Sequence, residues 1–164
     1  MSYSISVYLQ DLVYGACYNT LLYVRDHYRE LGIRLIPIEG TFPISHSQLL
    51  DDARQTIEKT KATLKPGERI RLALIDGIAS RPGVVIPWEK LCALFKEHGI
   101  LSLIDAAHCM GQTNLDLHES DPDFWVANAH KWCFAPRSLA CLYVPKRNHH
   151  LIETCKAAIR SLML

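Results

Sequence analysis

Short apolar runs alternate with longer amphipathic stretches along this chain, a pattern that predicts βα units around a parallel sheet. Strands are predicted at Ile5–Leu9, Ile33–Ile38, Ile70–Ile75, Leu101–Ile104, Phe124–Ala127 and Ala140–Val144. Most are near-continuous apolar runs, as in strands covered on both faces. Helices are predicted at Ala16–Leu31, Ser47–Leu64, Pro87–His98 and from about Asn148 to Leu162. Gly32 and Gly99 stand just past the first and third helices, where a glycine can close the last turn. Pro87 stands at a helix start, where its missing N–H would be unpaired anyway, and Pro66-Gly67 marks a turn. The predicted fold class is α/β, a mostly parallel sheet sandwiched by helices.

Composition narrows the class further. A length of 164 residues suits one domain with a sizeable core, and 49% hydrophobic with 21% charged residues indicates a folded chain. Lys plus Arg number 18 against 17 Asp plus Glu, with no long basic run, which argues against nucleic acid or an anionic membrane as partner. No stretch approaches the ~18 consecutive apolar residues of a membrane span. The start, MSYSISVYLQ, lacks the basic and apolar regions of a signal peptide, so a cytoplasmic location is expected. The six cysteines are scattered without a C-x-x-C pair and read as free thiols. There is no internal repeat, low-complexity tract or linker.

In open α/β sheets, ligands bind beyond the carboxyl ends of the strands. The third predicted strand ends at Asp76 and leads into Gly77-Ile78-Ala79-Ser80-Arg81-Pro82-Gly83. The fourth ends at Asp105, followed by Ala106-Ala107-His108, and the fifth runs into Asn128-Ala129-His130-Lys131. Singly, each has an ordinary structural reading. Asp105 can close an Asx-turn, the histidines can be hydrogen-bonded core residues, and Lys131 can extend to solvent. Together they suit pyridoxal 5′-phosphate (PLP) chemistry. That cofactor needs a lysine for a Schiff base, an acid beside its pyridinium nitrogen and donors for its phosphate. Asp105 supplies the acid and Lys131 the amine, from neighbouring strand ends.

These segments resemble the class V aminotransferase family of fold-type I PLP enzymes, in particular the fungal and bacterial set related to isopenicillin N epimerase. The matching pieces run in order from the Asp76–Gly83 loop through Pro87 and His98-Gly99. They continue with Ile104-Asp105-Ala106-Ala107-His108-Cys109-Met110-Gly111, Asp121-Pro122-Asp123-Phe124, Asn128-Ala129-His130-Lys131-Trp132, Ala135-Pro136-Arg137 and Tyr143-Val144-Pro145. The resemblance spans about residues 14–151.

It implies that Lys131 is the Schiff-base and catalytic lysine and Asp105 the pyridinium partner. His108 lies near the ring hydroxyl or Asp105, Ser80 near the ring hydroxyl, Asn128 and His130 help hold the phosphate, and Trp132 packs. Transamination of an amino acid or small amine is the first expectation, with C–S lysis and epimerisation open, a homodimer as the assembly and secondary metabolism as the setting. Family members are much longer. Residues 1–152 would then be a large domain without its first strand and helix, which supply phosphate donors and a ring stacked on the cofactor. Residues 153–164 form a helical tail without counterpart. A non-catalytic fragment retaining part of the dimer surface is the alternative. Ser138 stands where relatives usually have glycine, a strained place if its φ is positive.

Other chemistry fits less well. His108, Cys109, His118, His130 and Cys133 could suggest zinc, but only His130-x-x-Cys133 approaches ligand spacing, and Lys131 and Asp105 stay unexplained. A Cys–His hydrolase would need a nucleophile elbow around Cys109 or Cys133. The eight glycines nowhere form G-x-G-x-x-G, the dinucleotide fingerprint.

Overall fold

The computed structural model describes residues 5–10, 12–40 and 42–152. In chain order the regular elements are β1 (Ile5–Gln10), α1 (Gly15–His27), β2 (Arg34–Ile38), α2 (His46–Ala62), β3 (Arg69–Asp76) and α3 (Trp88–Glu97). Then follow β4 (Leu101–Asp105), α4 (Leu117–Ser120), β5 (Phe124–Asn128), α5 (Ala129–Trp132) and β6 (Ala140–Tyr143). The strands form one sheet in the order β2-β1-β3-β4-β5-β6. All neighbours are parallel except β5 and β6, which run antiparallel, so the sheet is mostly parallel as expected.

The apolar runs become the buried strands. From Ala73 to Asp76 every residue of β3 is buried, and Ile104, Trp125 and Ala127 continue that layer across the sheet. Helix α2 buries Leu49, Ala53, Ile57 and Thr60, a stripe spaced at close to whole turns, and Ser45 caps it by accepting from Gln48 N–H at 3.1 Å. Helix α3 buries Trp88, Leu91, Cys92, Leu94 and Phe95. Burying a side chain such as Phe95 is worth about 1.5–3 kcal/mol. An exposed ion pair such as Arg25–Asp26 is screened by solvent and adds little, so the core dominates.

Polar bonds tie the opposite end of the sheet. Asp123 accepts from the Ser102 N–H at 3.0 Å, from Arg147 at 3.1 Å and from Asn148 Nδ2 at 2.8 Å. Asp121 pairs with Lys96 and Arg147. This network explains one departure from the sequence expectation. Residues Lys146–Leu151 form a 3-10 turn and Ile152 is extended, at φ −100° and ψ 97°, so no α-helix begins at Asn148. The buried Asn148 amide is committed to Asp123, and this tertiary bond overrides local helix propensity. The remainder of that expected helix lies outside the described residues.

The first helix also ends earlier than expected, at His27, and continues as a 3-10 turn over Arg29–Leu31. Gly32 closes it with φ at 58°. None of α1 is buried. Ser138 has φ at 70°, the left-handed conformation that makes serine costly there.

Candidate active site

The chain leaves β1 toward β2 on one side and leaves β3 toward β4 on the other. Between those diverging connections opens the crevice at which doubly wound sheets bind ligands. A cavity of about 310 Å³, at the small end of ligand sites, lies beside it over the carboxyl ends of β3, β4 and β5. Leu74, Ile78, Leu103, Ile104 and Val126 supply apolar wall, while Asp76, Ser80, Asp105, His108, Asn128 and Lys131 bring polar groups to it. Tyr14 and Cys17 enter from the start of α1.

Sheet register sets the two acids side by side. Asp76 and Asp105 are paired residues at the ends of parallel β3 and β4. Asp105 is fully engaged: Oδ1 accepts from the Ala107 N–H at 3.0 Å and Oδ2 from the Cys17 thiol at 3.3 Å. The first bond is the Asx-turn foreseen as its ordinary structural reading, so the turn and a cavity-lining carboxylate coexist. Asp76 is only 3% exposed, and its Oδ1 has no hydrogen-bond partner. Burial, then the charge of Asp105, pushes Asp76 up to about 7, against the Tyr14 backbone N–H and Lys131, which pull it down. Burial also pushes the Cys17 thiol up to about 11, with Asp105 adding to the shift. Cys17 is thus a hydrogen-bond donor rather than a thiolate.

Lys131 Nζ lies 3.1 Å from His108 Nε2, and the Trp132 indole N–H donates to His108 Nδ1 at 3.3 Å. Burial, then the positive charge of Lys131, holds His108 below the ordinary histidine range, with Asp105 opposing. The local backbone makes this meeting possible. Gly111 has φ at 82°, and a Cβ there would lie 3.2 Å from the Trp132 carbonyl oxygen and 3.3 Å from its Cβ. Only glycine lets the turn carrying His108 back so closely onto α5. Ser80 reaches the rim on a loop folded on itself, with Ala79 N–H bonded to the Val84 carbonyl and Ile86 N–H to the Gly77 carbonyl, both at 3.0 Å.

Five of the six residues singled out from sequence therefore meet at this cavity: Lys131, Asp105, His108, Ser80 and Asn128. His130 is not on its wall; its Nδ1–H donates to the Leu139 carbonyl at 3.0 Å, beside the start of β6. Tyr14, Cys17 and Asp76 were given no role from sequence. The strand-end rule, applied to the first strand and carried through its loop, would have pointed to Tyr14. The Cys17–Asp105 bond joins positions 88 apart and has no signature in local pattern.

The rival chemistries find less. Among the described residues no three His, Cys, Asp or Glu side chains gather to hold a metal ion. Cys109 is buried, its thiol pushed up to about 12 by desolvation, which makes it a poor nucleophile. No helix among the described residues is long and apolar enough to cross a membrane.

The donor set fits PLP: an amine and an engaged carboxylate share one cavity, its walls are largely apolar, and a histidine bridges toward the amine. Comparison with known proteins agrees. The family model "Aminotransferase class-V" matches residues 35–157. The L-cysteine desulfhydrase-like protein lolT1 of Epichloe uncinata is 36% identical over 71% of this chain and 25% of its own length. The hercynylcysteine sulfoxide lyase of Schizosaccharomyces pombe is 34% identical over 87% of this chain and 34% of its own. The isopenicillin N epimerase of Amycolatopsis lactamdurans is 34% identical over 50% and 21%. Among solved structures, the apo cysteine desulfurase of Thermococcus onnurineus NA1 superposes with a TM-score of 0.72 at 20% identity, over 93% of this chain and 34% of that one. A C-DES lysine-to-alanine mutant with glycine covalently linked to its PLP cofactor gives 0.70 at 19%, over 93% and 38%. The chain thus spans well under half the length of the relatives it matches. Its sheet is that of fold-type I PLP enzymes, and the chain belongs to the class V aminotransferase family.

Proposed function

We propose that this chain carries the lysine-bearing part of a PLP site that breaks carbon–sulfur bonds in amino acids related to cysteine. The observation that carries the reading is the meeting of Lys131, His108 and Asp105 at one cavity. When bound, PLP supplies an electron sink that stabilises negative charge at a substrate's α-carbon. Lys131 Nζ would hold the cofactor covalently and, once displaced by substrate, accept the α-proton. The Asp105 carboxylate, held in place by the Ala107 N–H and the Cys17 thiol, would keep a proton on the ring nitrogen. Tyr14, Ser80, His108 and Asn128 line the same cavity; there Tyr14 would offer an aromatic face, Ser80 and His108 polar groups toward the ring hydroxyl, and Asn128 a donor for the phosphate. With Nδ1–H committed to the Leu139 carbonyl, the neutral His130 ring has only an acceptor left at Nε2, so Asn128 rather than His130 is the phosphate donor on which this reading relies.

Transamination, the first expectation from the family's activity, uses the same lysine and aspartate. The names of the relatives favour lysis: a desulfhydrase-like protein and a sulfoxide lyase are among those most similar. In lysis the α-proton goes to Lys131 and the sulfur leaves the β-carbon with the bonding electrons. The test is to load the protein with PLP and add L-cysteine. Sulfide and pyruvate released in equal amounts, and lost in Lys131→Ala, is the result expected. Amino transfer to a 2-oxo acid without sulfide would replace this reading with transamination.

A further inference from the structure

We propose that Cys17 is a positioning residue whose thiol, by donating to Asp105 Oδ2, makes that carboxylate a weaker base and so leaves the proton between it and the cofactor on the ring nitrogen. The proposal deepens the reading of Asp105 as the acid beside the pyridinium nitrogen, and its functional consequence rests on that reading. The direction of the bond follows from ordinary acidities. Cys17 Sγ lies 3.3 Å from Asp105 Oδ2. A carboxyl group ordinarily loses its proton at about pH 4 and a thiol at about pH 8.5, so at neutral pH the thiol donates and the carboxylate accepts. The surroundings reinforce that order. The titratable groups facing Cys17 are Asp105 of β4, Asp76 of β3 and Lys131 of α5. Burial, then the two acids, outweigh Lys131 and push the thiol up to about 11.

The contact is not a by-product of helix packing. Helix α1 buries none of its residues, so no apolar face forces Cys17 against the end of β4. Its side chain nonetheless meets a carboxylate 88 positions away, and both line the cavity. The two oxygens of Asp105 are served by different kinds of donor. Oδ1 takes the Ala107 N–H at 3.0 Å, a main-chain group fixed by the Asx-turn, whereas Oδ2 takes a side chain that substitution can remove. A carboxylate oxygen has two acceptor sites, so Oδ2 can hold the thiol and still meet a ligand.

A donor to a carboxylate stabilises its charged form. Removing the thiol would let Asp105 take up a proton more readily, at the expense of the ring nitrogen beside it. Thiols are weak donors, so the effect is several-fold rather than orders of magnitude. It also has a sign that simple tethering lacks. Serine at this position keeps a donor and alanine does not, and α1, with nothing buried, can follow the shorter C–O bond of serine.

Infrared difference spectra of the chain without cofactor test the bond, through the S–H stretch. Wild type minus Asp105→Asn should show one thiol band at lower frequency in wild type, and that band should be missing from Cys17→Ala. The consequence is read by nitrogen NMR of bound PLP carrying a label at its ring nitrogen, in samples whose attachment to Lys131 is checked with borohydride. In Cys17→Ala the ring nitrogen should lose its proton at lower pH, a several-fold loss of proton affinity, and Cys17→Ser should restore it. A thiol band unmoved by Asp105→Asn, or a ring nitrogen that titrates identically in Cys17→Ala and wild type, overturns the proposal. A displaced band with Lys131 unlabelled removes the cofactor reading, and the ring-nitrogen consequence with it, but leaves the Cys17 bond standing; a labelled Lys131 with an unmoved band does the reverse.

Discussion

At the scale of single residues, the site is governed by two carboxyl groups with different surroundings. Asp105 has two donors and stays an acceptor, whereas Asp76 is buried beside it with one oxygen unpaired. Two adjacent carboxylates cannot both ionise cheaply, and the less solvated one keeps its proton. Folding therefore raises the Asp76 value from 3.8 to about 7. The folded chain binds a proton there that the unfolded chain has lost, so stability from this group is full below about pH 4 and gone by about pH 7. Asp76→Asn keeps the shape and removes that dependence. Its unfolding free energy in urea relative to wild type should rise from pH 5 to pH 8, by a difference on the order of 1–3 kcal/mol. An equal difference at both pH values would show that Asp76 ionises normally.

At the scale of elements, the loop after β3 depends on one small residue. A Cβ on Gly77 would lie 2.3 Å from Cys109 Sγ, and Cys109 is fully buried. Gly77→Ala should therefore cost about 1–3 kcal/mol by overpacking. Cys109→Ala empties that space, so the double variant should be more stable than the sum of the single changes allows. Strict additivity in urea unfolding would mean that the clash relaxes elsewhere. The strands themselves were legible: β3, β4 and β5 are apolar runs that end where a polar residue faces the crevice, within one residue of expectation. Helix ends were less so. The stop after His27 and the 3-10 turn at Lys146–Leu151 depend on tertiary contacts, such as the Asn148 amide on Asp123, which leave no periodic trace.

At the scale of the whole molecule, the order of strands explains why residues far apart in sequence become one site. Asp76, Asp105 and Asn128 end three adjacent strands, and Lys131 follows one turn later on α5. That much was readable from strand ends and motif order. Tyr14 needed the same rule carried through the loop after β1, and Cys17 was not readable, because its bond to Asp105 joins distant positions without any motif. The central claim is that Lys131 is the residue that takes the cofactor. The most direct measurement adds PLP to the purified chain, records its visible absorbance, reduces with borohydride and maps the labelled peptide. The account predicts a visible band and a single label on Lys131, both lost in Lys131→Ala. A label that persists in Lys131→Ala, or a folded chain that takes no label on Lys131, would contradict it.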